Sequence, residues 1–409
     1  MPNSKTNLIL FDDDNWTGLL PLTFTRPICE LRIGILTIRE KWEKYLDGQG
    51  CFITQDFLSD KYPIIIEDDN IIINSTILPT EQLIKLVKQL KNNEAILHGD
   101  ELLAARLTHQ QFENLINDNG VTELDGIDVA EKLADIKRVT RPYHIFQYND
   151  EEIEKDFKLI TSGRQSEKLS STNNVINPEN VFLEPGASVE CAILNASTGP
   201  IYIGHNATIM EGCIVRGGLA MLPNSVLKLG AKIYGPTTIG PHSKVGGEVN
   251  NSVITGYSNK GHDGFLGNSV LGEWCNLGAD TNTSNLKNNY DEVKLWSYES
   301  QRFEKTGLQF CGLIMGDHSK SGINTMFNTG TVVGVNANIY GSGYPRNYIP
   351  SFAWGGTAGF KTYTFEKAMK TAEIVMARRK LELTDLDKTI LRHINLSTAK
   401  FRSWEKPES

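Results

Sequence analysis

The residues best suited to chemistry stand close together in the second half of the chain. They are Lys260-Gly261-His262-Asp263-Gly264-Phe265-Leu266-Gly267, then Asn276-Leu277-Gly278-Ala279-Asp280-Thr281, then Ser284-Asn285. A histidine, whose ordinary pKa is about 6.5, can accept a proton at neutral pH and act as a general base. Asparagines offer a donor and an acceptor to a polar ligand, and glycines let other groups approach the backbone closely. By themselves these types decide little. A histidine in a glycine-rich stretch is commonly structural, and asparagines are common at turns.

What positions these residues is a repeat. Stepping by six from Ile203 gives Ile209, Val215, Met221, Leu227, Ile233, Ile239 and Val245, all apolar. Four residues after each comes Ala207, Cys213, Leu219, Ser225, Ala231, Thr237, Ser243 or Val249, nearly all small. A period of six is neither helical nor that of an amphipathic strand, so the chain must turn a corner every sixth residue. The result is a hexapeptide β-helix, a triangular prism of about 18 residues per coil with the large aliphatics inside. Leu183 and Val189 open it. The phase returns at Phe265, Leu271 and Leu277, then at Met315, Phe327, Val333 and Ile339, with Ser321 the one polar member. Segments 193–200, 250–264 and 282–314 fall out of phase and are expected to be loops, which on a rigid stack is where a site belongs.

Composition bounds the rest. A chain of 409 residues should hold two or more domains, and 40% hydrophobic with 22% charged residues describes an ordinary soluble protein. No apolar run approaches the roughly 20 residues of a membrane span, and no export signal opens the chain. A net charge of −8 argues against nucleic acid as the main partner. Six cysteines without a C-x-x-C pair read as core fillers in a reducing cytoplasm.

Residues 1–150 read as an α/β domain. A strand at Leu8–Phe11 runs into Asp12-Asp13-Asp14, then Leu20-Pro21-Leu22-Thr23-Phe24-Thr25-Arg26-Pro27. Leu31, Ile35, Ile38, Trp42 and Tyr45 recur at helical spacing, strands are expected at Ile64–Ile66 and Ile71–Ile73, and a helix over Glu81–Leu90. The strand followed by Leu-Pro-Leu-Thr-x-x-Arg-Pro resembles the opening of sugar-1-phosphate nucleotidyltransferases. That family's glycine-rich phosphate loop is here Asp12 to Gly18, with three anions and one glycine. Its metal-holding Gly-Asp aligns on Ser75-Thr76, with Gly99-Asp100 as a rival that also reads as a hairpin turn. Arg26 and Arg32 are candidates for sugar phosphate, or else plain surface cations.

The second half resembles the acetyltransferase part of the bifunctional enzyme that acetylates glucosamine-1-phosphate and couples the product to UTP. Spacings from His262 to Phe265, Asn276, Ala279 and Asn285 match that family's run. The resemblance implies a left-handed β-helix, assembly as a homotrimer, acetyl-CoA as co-substrate and an amino-sugar 1-phosphate as acceptor. His262 would be the base, the N–H of Ala279 the oxyanion donor, and Asn276 and Asn285 ligands of sugar and pantetheine. Phe265 replaces a tyrosine, and Asn250 a lysine that contacts phosphate, so Lys260 or Lys287 is the candidate replacement cation. Coenzyme A is expected against the final coils, with Ser321 and Arg346 as contacts. Arg378-Arg379-Lys380 is a solvated helix face or a contact to the coenzyme 3′-phosphate. A nucleoside triphosphate and Mg2+ are implied if the first domain is active.

The expectation is therefore an α/β nucleotidyltransferase-like domain at 1–150, a linker at 151–174, a left-handed parallel β-helix of hexapeptide repeats at 175–345, and a C-terminal tail with helices at 346–409. The alternatives are a nucleotidyltransferase whose β-helix only assembles the oligomer, and a silent sugar-nucleotide-binding scaffold.

Overall fold

Residues 7–10 are buried without a break, as befits a central strand covered on both faces. In the computed structural model the strand Thr6–Phe11 pairs in parallel with Gly48–Ile53 on one side and Asp69–Asn74 on the other. Residues 6–116, 124–129 and 136–405 are described. They divide into two units, one drawn from Met1–Leu19, Arg26–Leu31 and Leu36–Arg141, the other from Leu20–Thr25, Arg32–Ile35 and Pro142–Ser409.

The first unit is built on a six-stranded mixed sheet. Asp69–Asn74 pairs antiparallel with Glu101–Thr108, which pairs antiparallel with Glu94–His98, and Asp125–Asp128 closes the edge in parallel. Gly99-Asp100 is the turn between two of these strands. Ile64–Ile66 forms no strand. Nor does the helical spacing from Leu31 begin a helix there: Gly34 takes φ +80°, and the helix starts at Ile38, where Thr37 and Glu40 form a capping box. Trp42 on this helix is fully buried and its indole donates to the carbonyl of Ile77 at 3.0 Å.

The second unit is built on a parallel β-helix. Its faces are sheets of six, nine and ten strands, in which each strand pairs in parallel with the one a coil further on, except that Gly359–Thr362 closes the ten-stranded sheet as an antiparallel hairpin with Ala353–Gly356. Along the nine-stranded face the inward column runs Leu183, Ile203, Met221, Ile239, Ile254, Leu271, Met315, Val333, Ile349. All nine are buried in one apolar core. The free cysteines Cys213 and Cys275 fill small inward slots of that core.

The loss of hexad phase at 250–264 has a different cause from the one expected. No loop leaves the coil there; the coil shortens. Lys244 pairs with Asn259, fifteen residues on, and Asn259 with Asn276, seventeen on, where the earlier step from Val226 to Lys244 is eighteen. Ile193–Asn195 is likewise a coil strand. A true excursion does occur later: Asn282–Thr283 still pairs with Met326–Phe327, and residues 284–312 then leave the stack carrying the hairpin Lys294–Ser297/Arg302–Lys305.

One corner of the prism is lined by residues in left-handed backbone conformation. Asn206, Asn224, His242, Tyr257, Trp274, His318, Asn336 and Phe352 all have φ between 53° and 61° or, for Trp274, 62°. Asparagine tolerates this conformation better than ring residues do. Four successive rings offset that strain by stacking: His242 on Tyr257 at 5.0 Å, Tyr257 on Trp274 at 4.4 Å, and Trp274 on His318 at 6.2 Å.

The helix Pro142–Thr161 crosses the boundary drawn at 150, and its buried polar residues explain why. Asn149 accepts from the N–H of Gly34 at 2.8 Å and from Thr238 at 3.0 Å, and Asp156 accepts from the N–H of Ile35 at 2.8 Å. A polar run here is therefore not linker. At the C-terminal end, Phe365–Ala377 buries Ala368, Met369, Ala372 and Met376. Asp385–Ser397 follows, opened by the Thr384/Asp387 capping box. No helix among the described residues is long and apolar enough to cross a membrane.

Candidate active site at a corner of the β-helix

The chemistry-bearing run turns the corner between the ten-stranded and the six-stranded face. Asn259–Lys260 ends one edge, Phe265–Gly267 begins the next, and Gly261, His262, Asp263 and Gly264 make the turn. On the following coil Gly278, Ala279, Asp280 and Thr281 repeat it. The N–H of Asp280 donates to the carbonyl of Asp263 at 3.0 Å, and Asn259 pairs with Asn276, so His262 and Ala279 occupy matching places on successive coils. Successive strands lie about 4.8 Å apart. Glycine is required at Gly278, where a Cβ would come within 2.5 Å of the backbone of Gly322. At Gly261 a Cβ would meet nothing within 4 Å, so the space beside His262 is open.

His262 is exposed. The N–H of Ala279 finds no acceptor among the described residues, while its carbonyl accepts from Asn324 at 2.8 Å. On one side of the corner Asn276 faces outward and its Oδ1 accepts from Asn259 at 3.5 Å. On the other side Phe265, Asn285 and Gly267 crowd together. A Cβ at Gly267 would lie 2.5 Å from the Phe265 ring and 2.7 Å from the Asn285 amide, which itself donates to Asn268 at 2.8 Å. The matched spacing thus brings His262, Ala279, Asn276, Phe265 and Asn285 to one corner region.

The replacement cations are not where the sequence suggested. Lys260 takes the inward slot that Val245 holds on the preceding coil. It is 2% exposed, and its ammonium donates to the carbonyls of Gly246 at 2.9 Å and His262 at 2.7 Å. Burial pushes it down to about 8 from the usual lysine value of 10.5, against the pull of Asp263, Asp280 and Glu248. A lysine there binds backbone, not substrate, because the hexad phase points it into the prism. Lys287 donates to the carbonyl of Glu292 within its own excursion. It lines a cavity of about 680 Å³ with Lys294, Trp296, Phe303, Tyr348 and Arg346, so Lys287 and Arg346 belong together and not to opposite ligands. Ser321 is also inward, its hydroxyl 3.0 Å from that of Thr281, and is closed to a coenzyme outside the prism.

In the first unit the acidic turn is filled by its own neighbours. Asp12 accepts from Thr54 at 2.7 Å and from the N–H of Ile28 at 3.0 Å, and burial pushes its carboxyl up to about 7. Asp13 accepts from the N–H of Asn15 at 2.9 Å, the Asn15 amide at 3.0 Å and the Asn74 amide at 3.0 Å. Ser75 and Thr76 are fully buried. These groups do not fit a magnesium ion, since their oxygens are spent and one acid is held toward its neutral form. Among the described residues no three acidic, histidine or cysteine side chains converge as metal ligands. Arg26 is 5% exposed, and in the second unit Arg32 donates to the carbonyl of Ile35 at 2.5 Å, so neither stands out as a surface cation. Arg39 forms ion pairs with Glu30 and Glu43.

The sequence marked Arg378-Arg379-Lys380 but not what they reach from the turn after the helix Phe365–Ala377. Arg379 donates to Asn259 at 3.3 Å, and Asn259 is the partner of Asn276. Nothing in the local pattern of Arg378-Arg379-Lys380 identifies that contact.

Comparison with known proteins finds sugar-phosphate transferases. Residues 8–165 match the sequence profile of a family described as sugar nucleotidyl transferase. The bifunctional protein GlmU of Methanocaldococcus jannaschii is 38% identical over 92 residues, 22% of either chain. A bifunctional sugar-1-phosphate nucleotidylyltransferase/acetyltransferase of Sulfurisphaera tokodaii is 31% identical over 151 residues, 35% of either chain. GlmU of Methanococcus vannielii is 26% identical over 288 residues, covering 66% of this chain and 60% of that one. In each case the match spans less than two thirds of the relative's length.

Proposed function

We propose that this chain, a relative of the bifunctional sugar-1-phosphate nucleotidylyltransferase/acetyltransferases, transfers an acetyl group from acetyl-CoA to the amine of an amino-sugar 1-phosphate at the His262 corner. The observation that carries the reading is the placement of an exposed histidine one coil from an unused backbone N–H. In the reaction the amine nitrogen attacks the thioester carbonyl and His262 takes the proton that the nitrogen loses. The tetrahedral oxyanion accepts from the N–H of Ala279, a fixed donor that needs no reorganisation. The C–S bond then breaks, and the thiolate leaves with a proton returned by His262. Asn276 and Asn285 hold acceptor and donor on either side of the corner. Lys260 touches neither; it fixes the carbonyl of His262 and so the direction of the turn.

Six free cysteines suit a reducing cytoplasm, and such prisms associate as trimers around their axis, which sedimentation velocity would test. The match over residues 8–165 favours a second reading, nucleotidyl transfer by the first unit. Against that reading, the acidic turn offers neither a phosphate cradle nor a metal site, its first two carboxylates being bonded to Thr54, Asn15, Asn74 and backbone N–H groups.

The test is thiol release from acetyl-CoA with a panel of amino-sugar 1-phosphates, alongside His262→Ala. A rate that falls about a hundredfold in the variant is expected for the loss of a general base. Equal rates in both proteins would exclude His262 as the base. Magnesium-dependent pyrophosphate release with no thiol release would transfer the activity to the first unit.

A further inference from the structure

The acceptor proposed above carries a phosphate, yet the Phe265 side of the corner offers it no free cation. Phe265 follows Glu248 and Lys232 in one outward column. Lys232 is 3.7 Å from Glu248, which also accepts from Tyr234 at 2.6 Å. In the neighbouring column Asn250 pairs with Gly267. The Asn276 side is different. There Lys244 pairs with Asn259, and Lys228 lies on the preceding coil, its Cβ 3.3 Å from where a Cβ on Gly246 would stand. Arg379 reaches Asn259 from the turn that follows the helix Phe365–Ala377, with Arg378, the C-cap of that helix, next to it in sequence.

These four cations form a cluster without acids. Among the described residues none of Lys228, Lys244, Arg378 and Arg379 takes part in an ion pair, in a chain whose net charge is −8. Lys244 is exposed, and it is held below the usual lysine range by burial of its surroundings and then by the charges of Arg379, Lys228 and Arg378. Arg379 is lowered by burial and by Arg378, and His242 by burial and by Arg379. Like charges gathered at this density repel unless an anion lies between them. Two lysines on a rigid sheet and a planar guanidinium beside them suit the three oxygens of a phosphomonoester.

We propose that Lys228, Lys244, Arg378 and Arg379 form a phosphomonoester-binding cradle, built jointly by two coils and the turn that ends the helix Phe365–Ala377, that holds the acceptor's phosphate next to Asn259 and Asn276. This rests on the acetyl-transfer reading for the identity of the acceptor. The cradle lies on coils that precede Asn276, and it supplies from a helix's closing turn the charge that Lys260 and Lys287 do not.

The experiment is calorimetric binding, which needs no turnover and so separates this proposal from the catalytic one. The intact chain and its Lys244→Ala, Arg379→Ala and double variants are titrated with glucosamine 1-phosphate, glucosamine, coenzyme A and 3′-dephospho-coenzyme A. Each deletion is expected to weaken the sugar phosphate at least about tenfold, the loss of one charge-assisted contact, with glucosamine and coenzyme A unchanged. Lys244→Ala leaves the helix in place, so a loss there is not a folding effect, and thermal melts of all variants check the remainder. Unchanged affinity for the sugar phosphate overturns the proposal. A loss confined to coenzyme A and absent with its 3′-dephospho form also overturns it, and assigns the cradle to the donor.

Discussion

Two turns in this chain occupy places where a family pattern leads one to expect chemistry, and they are built in opposite ways. The turn at Asp12-Asp13-Asp14 is rich in functional groups, but its first two carboxylates are consumed by Thr54, Asn15, Asn74 and backbone N–H groups. The turn at Gly261-His262 has few functional groups and leaves them available, with open space at Gly261 and an unclaimed N–H at Ala279. A reactive site needs unsatisfied valences that the fold can afford to expose. By that measure the acidic turn is a structural knot, while the histidine turn keeps groups open to a ligand.

The widest expected effect tests the knot. Asp12 has a folded value of about 7 against 3.8 for the free group, so the stability it contributes is present below pH 3.8 and lost as pH rises through 7. Urea midpoints should therefore rise by the equivalent of about 3 kcal/mol from pH 8 to pH 5, relative to Asp12→Asn, which cannot titrate. Parallel pH curves for the two proteins would mean that the carboxylate is solvated and free for a ligand. Next comes His262→Gln, for which roughly a hundredfold loss in thiol release is expected with an unchanged melting temperature.

Lys260 links the two measurements. Its folded value of about 8 lies below the unfolded 10.5, so stability should rise between those values as the unfolded chain alone keeps its proton. From pH 7.5 to 9.5 the wild type should gain about 2 kcal/mol over Lys260→Met. A matching slope in both proteins would place the ammonium in water. Gly278→Ala, whose Cβ would lie 2.5 Å from Gly322, should cost roughly 1–2 kcal/mol in chemical denaturation. Gly261→Ala should change stability by no more than about 0.5 kcal/mol, since its Cβ meets open space. Equal costs for the two glycines would erase the contrast between a packed corner and an open one.

Much of the prism was legible because a six-residue period has few physical explanations. Ile203, Met221 and Ile239, read as inward from spacing alone, stand in one buried column. The period failed where coils shorten at 244–276, since dropping residues at a corner shifts the phase without expelling a loop. For the same reason Lys260 could not be recognised as inward, and a lysine inside an apolar prism runs against every compositional expectation. Spacing to His262 picks out residues that stand at one corner region, although the segment before it was expected to be a loop, and it could not say which cations are free. That depends on partners distant in the chain, such as Arg379 at Asn259, 120 residues away. In the first unit the central strand was plain from the apolar run Leu8–Phe11, whereas Ile64–Ile66 has strand-forming residues but no pairing.

The column of rings from His242 to His318 gives the prism an optical and mechanical gauge. Trp274 lies nearly parallel to Tyr257 below and His318 above, 15° and 13° from coplanar. Any stretching of the stack along its axis would widen those ring gaps while the apolar interior still held. The indole's emission would then shift before the chain lost its secondary structure. Trp274, the one of the chain's six tryptophans that stands in this column, would report tension between coils, as a strain gauge bonded to a beam reports load before the beam yields.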